Sequence, residues 1–172
     1  MIGNTGTYLD SPFHLFAGGI DLAGLELDSL VGLRTEVIHL PNAPLRVIPA
    51  SAFRGRDLAG SAVLLHTGWD RHFGRPQYGH GAPFLTKEGA DFLVDAGVGL
   101  VGIDSLNIDD TESGGERPVH AQLFGAGIHI VEHLTNLGEL PARGARFTAV
   151  APKITGFGTF PVRAFAELEP AH

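Results

Sequence analysis

Four side chains that can carry a proton, a hydrogen bond or a metal ion lie close together near the start of the chain. They are Asn4, Tyr8, Asp10 and His14. Alternate side chains of an extended strand share a face, so these even-numbered residues would point the same way. If a short helix begins at 11–12, with Ser as N-cap and Pro in first position, Asp10 and His14 stay neighbours. The alternative is a polar turn in which Asp10 caps a helix and Tyr8 packs.

The composition excludes several classes of protein. The chain has 172 residues and a net charge of −7, and its 12 Lys and Arg are scattered singly, so we expect neither nucleic-acid nor membrane-surface partners. It contains no cysteine, which excludes disulfides, Cys-type zinc sites and thiol nucleophiles and suits the cytoplasm. We find no apolar stretch near the roughly 18 residues of a spanning helix and no signal-peptide pattern at the start.

Apolar runs and turn residues alternate along the chain and predict a mixed α/β domain. The predicted strands are 33–40, 61–69, 98–104, 127–132, 146–154 and 160–168. The predicted helices are 86–97 and 119–127, and the predicted loops are 72–85 and 107–118. Thr86 is expected to cap the first helix and Gly97 to end it.

The opening stretch resembles the signature H-x-G-T-H-x-D-x-P-x-H of the cyclase family of metal-dependent hydrolases, to which bacterial kynurenine formamidase and isatin hydrolase belong. Residues 4–14 read N-T-G-T-Y-L-D-S-P-F-H, so that two positions, Asn4 and Tyr8, carry other residues where the signature has histidines. Residues 64–70, 99–110 and 119–137 are similar to later family blocks, in the same order. The resemblance therefore covers most of the chain.

The resemblance implies the family's α/β fold, a swivelling β/β/α arrangement with a mixed sheet and flanking helices. Family members begin with additional strands before the signature, including an Asp-Leu-Ser-type segment, whereas this sequence starts almost at the signature. We therefore expect a single domain over residues 1–172 that lacks those N-terminal strands. Family members usually form dimers or larger assemblies, and exposed strand edges favour pairing, so we expect a homo-oligomer.

The resemblance also implies a site. In the family, the two signature histidines and the Asp bind metal, a downstream His and Glu complete a two-metal site, and the last signature His is a general acid/base. Carried over by position, Asp10, His120 and Glu132 are metal ligands and His14 is catalytic. Two carboxylates and one imidazole can hold one Zn²⁺ or Mn²⁺ ion with positions left for water. The implied reaction is hydrolysis of a small carbonyl compound at a C–N bond, of the aryl-formamide or cyclic-amide kind.

The two replaced histidines change this expectation. A neutral amide and a phenol donate less charge to a metal than two imidazoles, so the first metal position should be weak or empty. Tyr8 is assigned a catalytic role as a hydrogen-bond donor, and Asn4 is placed with the substrate. Trp69 is also assigned to the substrate pocket, with core packing as its alternative. His80 is assigned as a lid residue over the substrate, with a solvated loop position as its alternative.

Several neighbouring residues have competing interpretations. His120 lies near the start of a short helix, where it could simply be a partly exposed residue. Glu132 ends an apolar strand, where a carboxylate is costly to bury without a partner. Asp104 ends another strand and either orients a metal-binding histidine or caps a turn. His129 and Glu132 lie on opposite faces of the predicted strand, so we expect His129 at the surface.

Two rival functions remain open. The chain could be a metal-free protein that binds a small molecule on the same scaffold, or it could catalyse without metal through Tyr8, Asp10 and His14. Nucleotide-binding and serine-nucleophile motifs are absent from the sequence. The Gly-Phe-Gly at 156–158 has the wrong spacing for a dinucleotide fingerprint, and Gly-x-Ser-x-Gly does not occur.

Overall fold

The computed structural model describes residues 2–41 and 46–168. The strands are β1 (Tyr8–Asp10), β2 (Leu33–His39), β3 (Val47–Ile48), β4 (Ala62–His66), β5 (Phe84–Leu85), β6 (Leu100–Ile103), β7 (His129–Glu132), β8 (Ala145–Thr148), β9 (Thr159–Pro161) and β10 (Phe165–Leu168). The helices are α1 (Lys87–Asp95) and α2 (Pro118–Gly125). Short 3-10 turns lie at Pro12–His14, Leu22–Gly24, Leu27–Ser29, Ala50–Phe53, Trp69–His72, Pro76–Gly79 and Leu137–Glu139.

Most of the strands join one mixed sheet. Within the described ranges its order is β10-β8-β2-β4-β6-β7-β1-β9, and β3 pairs separately with β5. The central strands β2, β4, β6 and β7 run parallel, while β8 and β1 are antiparallel to their neighbours β2 and β7. In the β1–β7 register Tyr8 lies opposite Glu132 and Asp10 opposite Ile130. The predicted mixed α/β class is confirmed, and this register brings the start of the chain against the end of β7.

Both faces of the sheet are covered, which explains the nearly continuous apolar runs of the central strands. On one face α1 and α2 pack through Leu93 and Leu123 against strand residues such as Ile103. On the other face Leu9 and Val131 pack against the segments that follow β1 and β7 and against β8. None of the helices within 2–41 and 46–168 has the length and apolar character needed to cross a membrane.

The helix starts follow their sequence signals. The Thr86 hydroxyl accepts a hydrogen bond from the Gly89 N–H at 3.0 Å, which caps α1 as predicted. Gly97 follows α1 with a φ of 69°, in the left-handed region where glycine is favoured. Pro118 occupies the first turn of α2, where its missing N–H costs nothing. The predicted 72–85 loop contains a 3-10 turn and ends in β5.

Two predictions about local structure are wrong. The single strand predicted over 160–168 is two strands, because the chain leaves β9 after Pro161, and β10 joins the opposite edge of the sheet. His129 is not a surface residue: it is 7% exposed, and its Nε2 lies 3.0 Å from the Ser29 hydroxyl. The alternation argument failed for His129 because the second face of the sheet is covered as well.

Candidate metal centre

Three side chains from distant parts of the sequence converge at the end of the β1–β7 pair. Asp10 comes from β1, Glu132 from β7 and His120 from α2, and all three are fully buried. The Nε2 atom of His120 lies 3.7 Å from Asp10 Oδ2 and 3.8 Å from Glu132 Oε1. The structure thus brings together the three residues that the sequence predicted as metal ligands, although their role as ligands stays a prediction.

His120 is held in one orientation by Asp109. Its Nδ1 lies 2.6 Å from Asp109 Oδ2, and the same carboxylate accepts the backbone N–H groups of Val119 and His120. Because the carboxylate is an acceptor, the Nδ1 atom carries a proton, and Nε2 is the ring nitrogen that faces Asp10 and Glu132. Such a carboxylate–histidine pair is the usual support of a metal-binding imidazole.

Glu132 has one carboxylate oxygen that faces the centre. Its Oε2 accepts hydrogen bonds from the Tyr8 hydroxyl at 2.5 Å and from the Asn107 amide at 3.2 Å. Its Oε1 accepts the Ile108 N–H at 2.6 Å and is the atom that lies near His120. Tyr8 therefore donates to a carboxylate, as predicted, and the exposed Asn4 side chain hydrogen-bonds Tyr8.

The electrostatics of this buried group favour a positive charge at its centre. Burial, together with the charge of Asp10, raises the pKa of Glu132, because a charged carboxylate is poorly solvated there. Burial alone would lower the pKa of His120, but the surrounding carboxylates outweigh it and raise that pKa. Both raised pKa values indicate that the buried carboxylates have too little positive charge beside them. A cation at the centre would supply that charge.

Unsatisfied atoms point to the same centre. Within the described residues, both carboxylate oxygens of Asp10 and the Nε2 atom of His120 are buried without a hydrogen-bond partner. Buried polar atoms without partners are rare and call for an explanation. An oxygen–nitrogen donor set with ligand–ligand separations near 3.7 Å fits a divalent transition metal with bonds of about 2.0–2.2 Å. The residues present therefore fit the metal that the sequence implies.

His14 lies beside this centre on the 3-10 turn that follows β1. Its Nδ1 is 3.9 Å from Asp10 Oδ1, and one potential ligand atom from each of Asp10, His14 and His120 falls within 4.8 Å of the others. Its Nε2 lies 3.0 Å from Nη1 of Arg117. A guanidinium can only donate, so the neutral imidazole of His14 accepts at Nε2 and carries its proton at Nδ1, on the side of Asp10. In this tautomer Nδ1 is a proton donor and not a metal ligand.

The position of His14 depends on a glycine that the sequence did not single out for this purpose. Gly158 packs directly against the backbone of His14, where any Cβ would clash, and its carbonyl accepts the Ser11 N–H at 2.8 Å. Gly158 belongs to the Gly-Phe-Gly at 156–158 and precedes β9. That motif thus allows β9 to approach the turn that carries His14.

Asp104 had two interpretations in the sequence, and the one in which it orients a metal-binding histidine is wrong. Its carboxylate accepts the backbone N–H groups of Thr67 and Gly68 and the Thr67 hydroxyl, at 2.5–3.0 Å. It therefore caps the turn after β4, as the competing interpretation had it. Asp109 orients His120 instead, and no signal in the sequence marked it, because it lies in the loop before α2 and not at the N-cap of the helix.

Trp69 and His80 lie on the segments that follow β4. The half-buried Trp69 donates its indole N–H to the Tyr78 carbonyl at 3.0 Å, and His80 is exposed at the end of a 3-10 turn. Trp69 therefore braces the segment that carries Tyr78. The substrate contact of Trp69 and the lid role of His80 stay predictions.

An aromatic cluster that the sequence analysis missed extends from the centre toward the surface. The His133 ring lies 5.1 Å from Tyr8, 5.4 Å from Tyr78 and 6.2 Å from Phe73. Tyr78 is buried, while Phe73 is 53% exposed. His133 adopts a φ of 55°, which turns the chain sharply after Glu132. These rings form an apolar wall beside the buried carboxylates.

Known proteins with similar sequences include kynurenine formamidases. Over 136 residues the chain is 34% identical to a kynurenine formamidase of Geobacillus thermodenitrificans, which covers 78% of this chain and 62% of the relative. A kynurenine formamidase of Bacillus thuringiensis is 32% identical over 132 residues and covers 76% and 60%. The chain therefore spans about three-fifths of the length of the curated relatives that it matches.

Solved structures agree with the fold. Isatin hydrolase A from Labrenzia aggregata, bound to benzyl benzoate, superposes with a TM-score of 0.89 at 25% identity, over 99% of this chain and 75% of the other. A potential metal-dependent hydrolase with cyclase activity gives a TM-score of 0.80 at 29% identity, over 99% and 82%. Residues 1–110 match the Cyclase family. On this match and these relatives, the chain belongs to the Cyclase family.

Proposed function

We propose that the protein is a metal-dependent hydrolase that cleaves a C–N bond in a small carbonyl compound, of the aryl-formamide or cyclic-amide kind. The curated relatives are kynurenine formamidases, and structural neighbours are isatin hydrolases. The observation that carries the proposal is the group of buried atoms without partners on Asp10 and His120, which faces an oxygen of Glu132.

Asp10, His120 and Glu132 would hold one divalent ion, Zn²⁺ or Mn²⁺. A bound ion of this kind would lower the pKa of a water to about 7 and polarise a carbonyl. Asp109 fixes the ring of His120 so that Nε2 faces the centre, and Tyr8 and Ile108 hold the two oxygens of Glu132 in place. Tyr8 stands where the family signature has a histidine and is hydrogen-bonded to Glu132, so it would not serve as a ligand for a second ion.

His14 moves the proton. Hydrolysis adds water to the carbonyl carbon, and the C–N bond then breaks only if the departing nitrogen receives a proton. The Nδ1–H of His14 points toward Asp10 and the centre, because Arg117 occupies the other ring nitrogen. In this resting tautomer no lone pair faces the centre. Once Arg117 leaves Nε2 and the ring proton lies there, Nδ1 can take a proton from the attacking water and then give that proton to the departing nitrogen. The products are a carboxylic acid and an amine, or an opened ring that carries both.

The aromatic wall supports an aryl substrate. His133 lies 5.1 Å from the Tyr8 ring, and Tyr78 and the partly exposed Phe73 lie 5.4 Å and 6.2 Å from His133. Aromatic rings at such distances favour stacked or edge-on contacts with another ring. Asn4, Trp69 and His80 are proposed to contact the substrate at the rim, since all three are exposed or half-buried.

The proposal is tested by assaying hydrolysis of formanilides, cyclic imides and lactones with protein that has been stripped with a chelator and then refilled with Zn²⁺ or Mn²⁺. We expect turnover of C–N substrates that disappears on stripping and returns on refilling, and that is lost in His14→Ala. Activity that survives the chelator but not His14→Ala would instead support metal-free acid/base catalysis. Ligand binding with no turnover under any condition would support the binding-protein alternative.

We further propose that the protein acts as a homo-oligomer in the cytoplasm. Large apolar side chains remain exposed at Ile2, Leu27 and Leu168, and β9 and β10 end the sheet with unpaired edges in the described part of the chain. Unpaired edges and exposed apolar groups favour association. Light scattering on the purified protein would show a mass of at least twice 18.2 kDa. A monomeric mass at micromolar concentration would contradict the proposal.

A further inference from the structure

Arg117 is a cationic side chain beside the proposed catalytic centre, and no acid within residues 2–41 and 46–168 forms an ion pair with it. It precedes α2 and is exposed, and its hydrogen bond within the described residues is the one from Nη1 to His14. By contrast, Arg34 and Arg46 each form ion pairs with carboxylates. The remaining N–H groups of the Arg117 guanidinium are thus available to a ligand.

The acids near Arg117 in sequence do not pair with it in the described part of the chain. Asp109 is bonded to His120 and to the first N–H groups of α2. Asp110 is paired with Arg46 at 2.8 Å. Glu116, the adjacent residue, is exposed. None of these acids forms an ion pair with Arg117 among the described residues. The positive charge of Arg117 can therefore interact with a ligand in the site.

Arg117 and the metal centre contact opposite sides of the same imidazole. Nε2 of His14 is 3.0 Å from Arg117, while Nδ1 faces Asp10 at 3.9 Å. A substrate whose scissile bond reaches the centre and whose nitrogen takes the His14 proton would therefore place nearby groups within reach of the guanidinium. A guanidinium binds a carboxylate through two parallel hydrogen bonds, a geometry that a lysine cannot offer.

We propose that Arg117 binds a carboxylate of the substrate, so that the substrates are N-acyl amino acids in which a carboxylate lies a few bonds from the cleaved C–N bond. N-formylanthranilate is a simple member of this class. The inference rests on the proposed function and adds a charge requirement to it. Without Arg117, the buried acids Asp10, Asp109 and Glu132 would repel such a substrate. The guanidinium of Arg117 would therefore determine whether the site binds an anionic substrate.

Two substrates that differ only in the carboxylate test this proposal. The ratio of kcat/KM for N-formylanthranilate to that for formanilide is measured for the wild-type protein and for Arg117→Gln. Gln keeps an N–H donor for His14 but removes the charge. Arg54→Gln, an exposed arginine outside the site, controls for the change in net charge. We expect the ratio to fall at least tenfold in Arg117→Gln, mainly through KM, and to be unchanged in Arg54→Gln.

A second measurement separates failure of this inference from failure of the proposed function. Binding of anthranilate and of aniline is measured by calorimetry on the metal-loaded wild-type protein and on Arg117→Gln. Anthranilate should bind at least tenfold more weakly to the variant, whether or not either formamide is hydrolysed. The proposal is overturned if Arg117→Gln lowers kcat/KM equally for both formamides and binds anthranilate as tightly as the wild type. Arg117 would then only position His14.

Discussion

Nε2 of His120 lies 3.7 Å from Oδ2 of Asp10, and within the described residues neither atom has a hydrogen-bond partner. Direct hydrogen bonds are shorter than this, with donor–acceptor distances of about 2.7–3.2 Å. The separation suits two atoms that share a cation, each at about 2.0–2.2 Å from it. Since β1 pairs with β7, Glu132 supplies a third oxygen on the same side.

Replacement of Asp109 by Asn should weaken metal binding without removing a ligand. The amide is a poorer partner for His120 Nδ1 than a carboxylate, so the imidazole becomes less basic and less firmly oriented. We expect metal affinity to fall about 10–100-fold. Competition with a chelating dye measures the affinity, and Asp110→Asn, next in the chain but paired with Arg46, is the control. Wild-type affinity in Asp109→Asn would contradict the assigned role.

Restoring the two histidines of the family signature should create a second metal position. The double substitution Asn4→His and Tyr8→His replaces an amide and a phenol by imidazoles next to Asp10. We expect metal content to rise from about one to about two ions per chain, because imidazole is a far better ligand for Zn²⁺. Tyr8→Phe, which removes the hydroxyl but adds no ligand, should stay near one. If the metal content of the double variant is unchanged, the absence of the two histidines does not explain why a second metal position is missing.

His14→Ala should separate proton transfer from metal binding. We expect the rate to fall by about 10²–10⁴-fold, the usual contribution of a general acid/base. Metal content should be unchanged, because Arg117 holds His14 in the tautomer that carries its proton on Nδ1. Elemental analysis alongside kcat makes the comparison. Loss of the metal together with activity would show that His14 is a ligand.

His129 should make folding stability depend on pH. Burial lowers its pKa below the unfolded value of about 6.5, so the folded protein disfavours the charged form. Its contribution is complete above pH 6.5 and is lost as the pH falls toward the lowered pKa, at up to about 1.4 kcal/mol per pH unit. Urea unfolding between pH 8 and 5 should show a weaker pH dependence in His129→Gln than in the wild type.

The control for this experiment is His80→Gln, which removes an exposed histidine from a loop. That variant serves as the control because the His80 side chain is exposed and is not desolvated when the protein folds. If His129→Gln follows the same pH curve as the wild type, burial of His129 does not penalise its protonation in the way described.

The fold class and most of the elements could be predicted from the sequence because local signals dominate them. The apolar runs of β4 and β6, the Thr86 cap and the Pro at the start of α2 each specify an element without tertiary information. What could not be predicted is how β9 and β10 divide the last run between opposite edges of the sheet. The pairing of an edge strand depends on which distant strand is available. The alternation of residues within the run does not show which strand that is.

The ligands could be proposed through the family resemblance, but the groups that support them could not. Asp109 and Asp104 are both acids at loop starts, and only the tertiary structure shows which carboxylate meets His120. The contact of Arg117 with His14 likewise joins residues that are far apart in sequence. His129 illustrates the reverse error, because period-two alternation assumes that one face of the sheet is solvated.

The central claim is that Asp10, His120 and Glu132 hold one divalent ion, and elemental analysis tests it most directly. The protein is stripped, refilled with Zn²⁺ or Mn²⁺, dialysed, and compared with a variant carrying Asp10→Ala and Glu132→Ala whose fold has been checked by circular dichroism. We predict about one ion per chain in the wild type and none in the folded variant. No metal in the wild type, or equal metal in both proteins, would contradict the account.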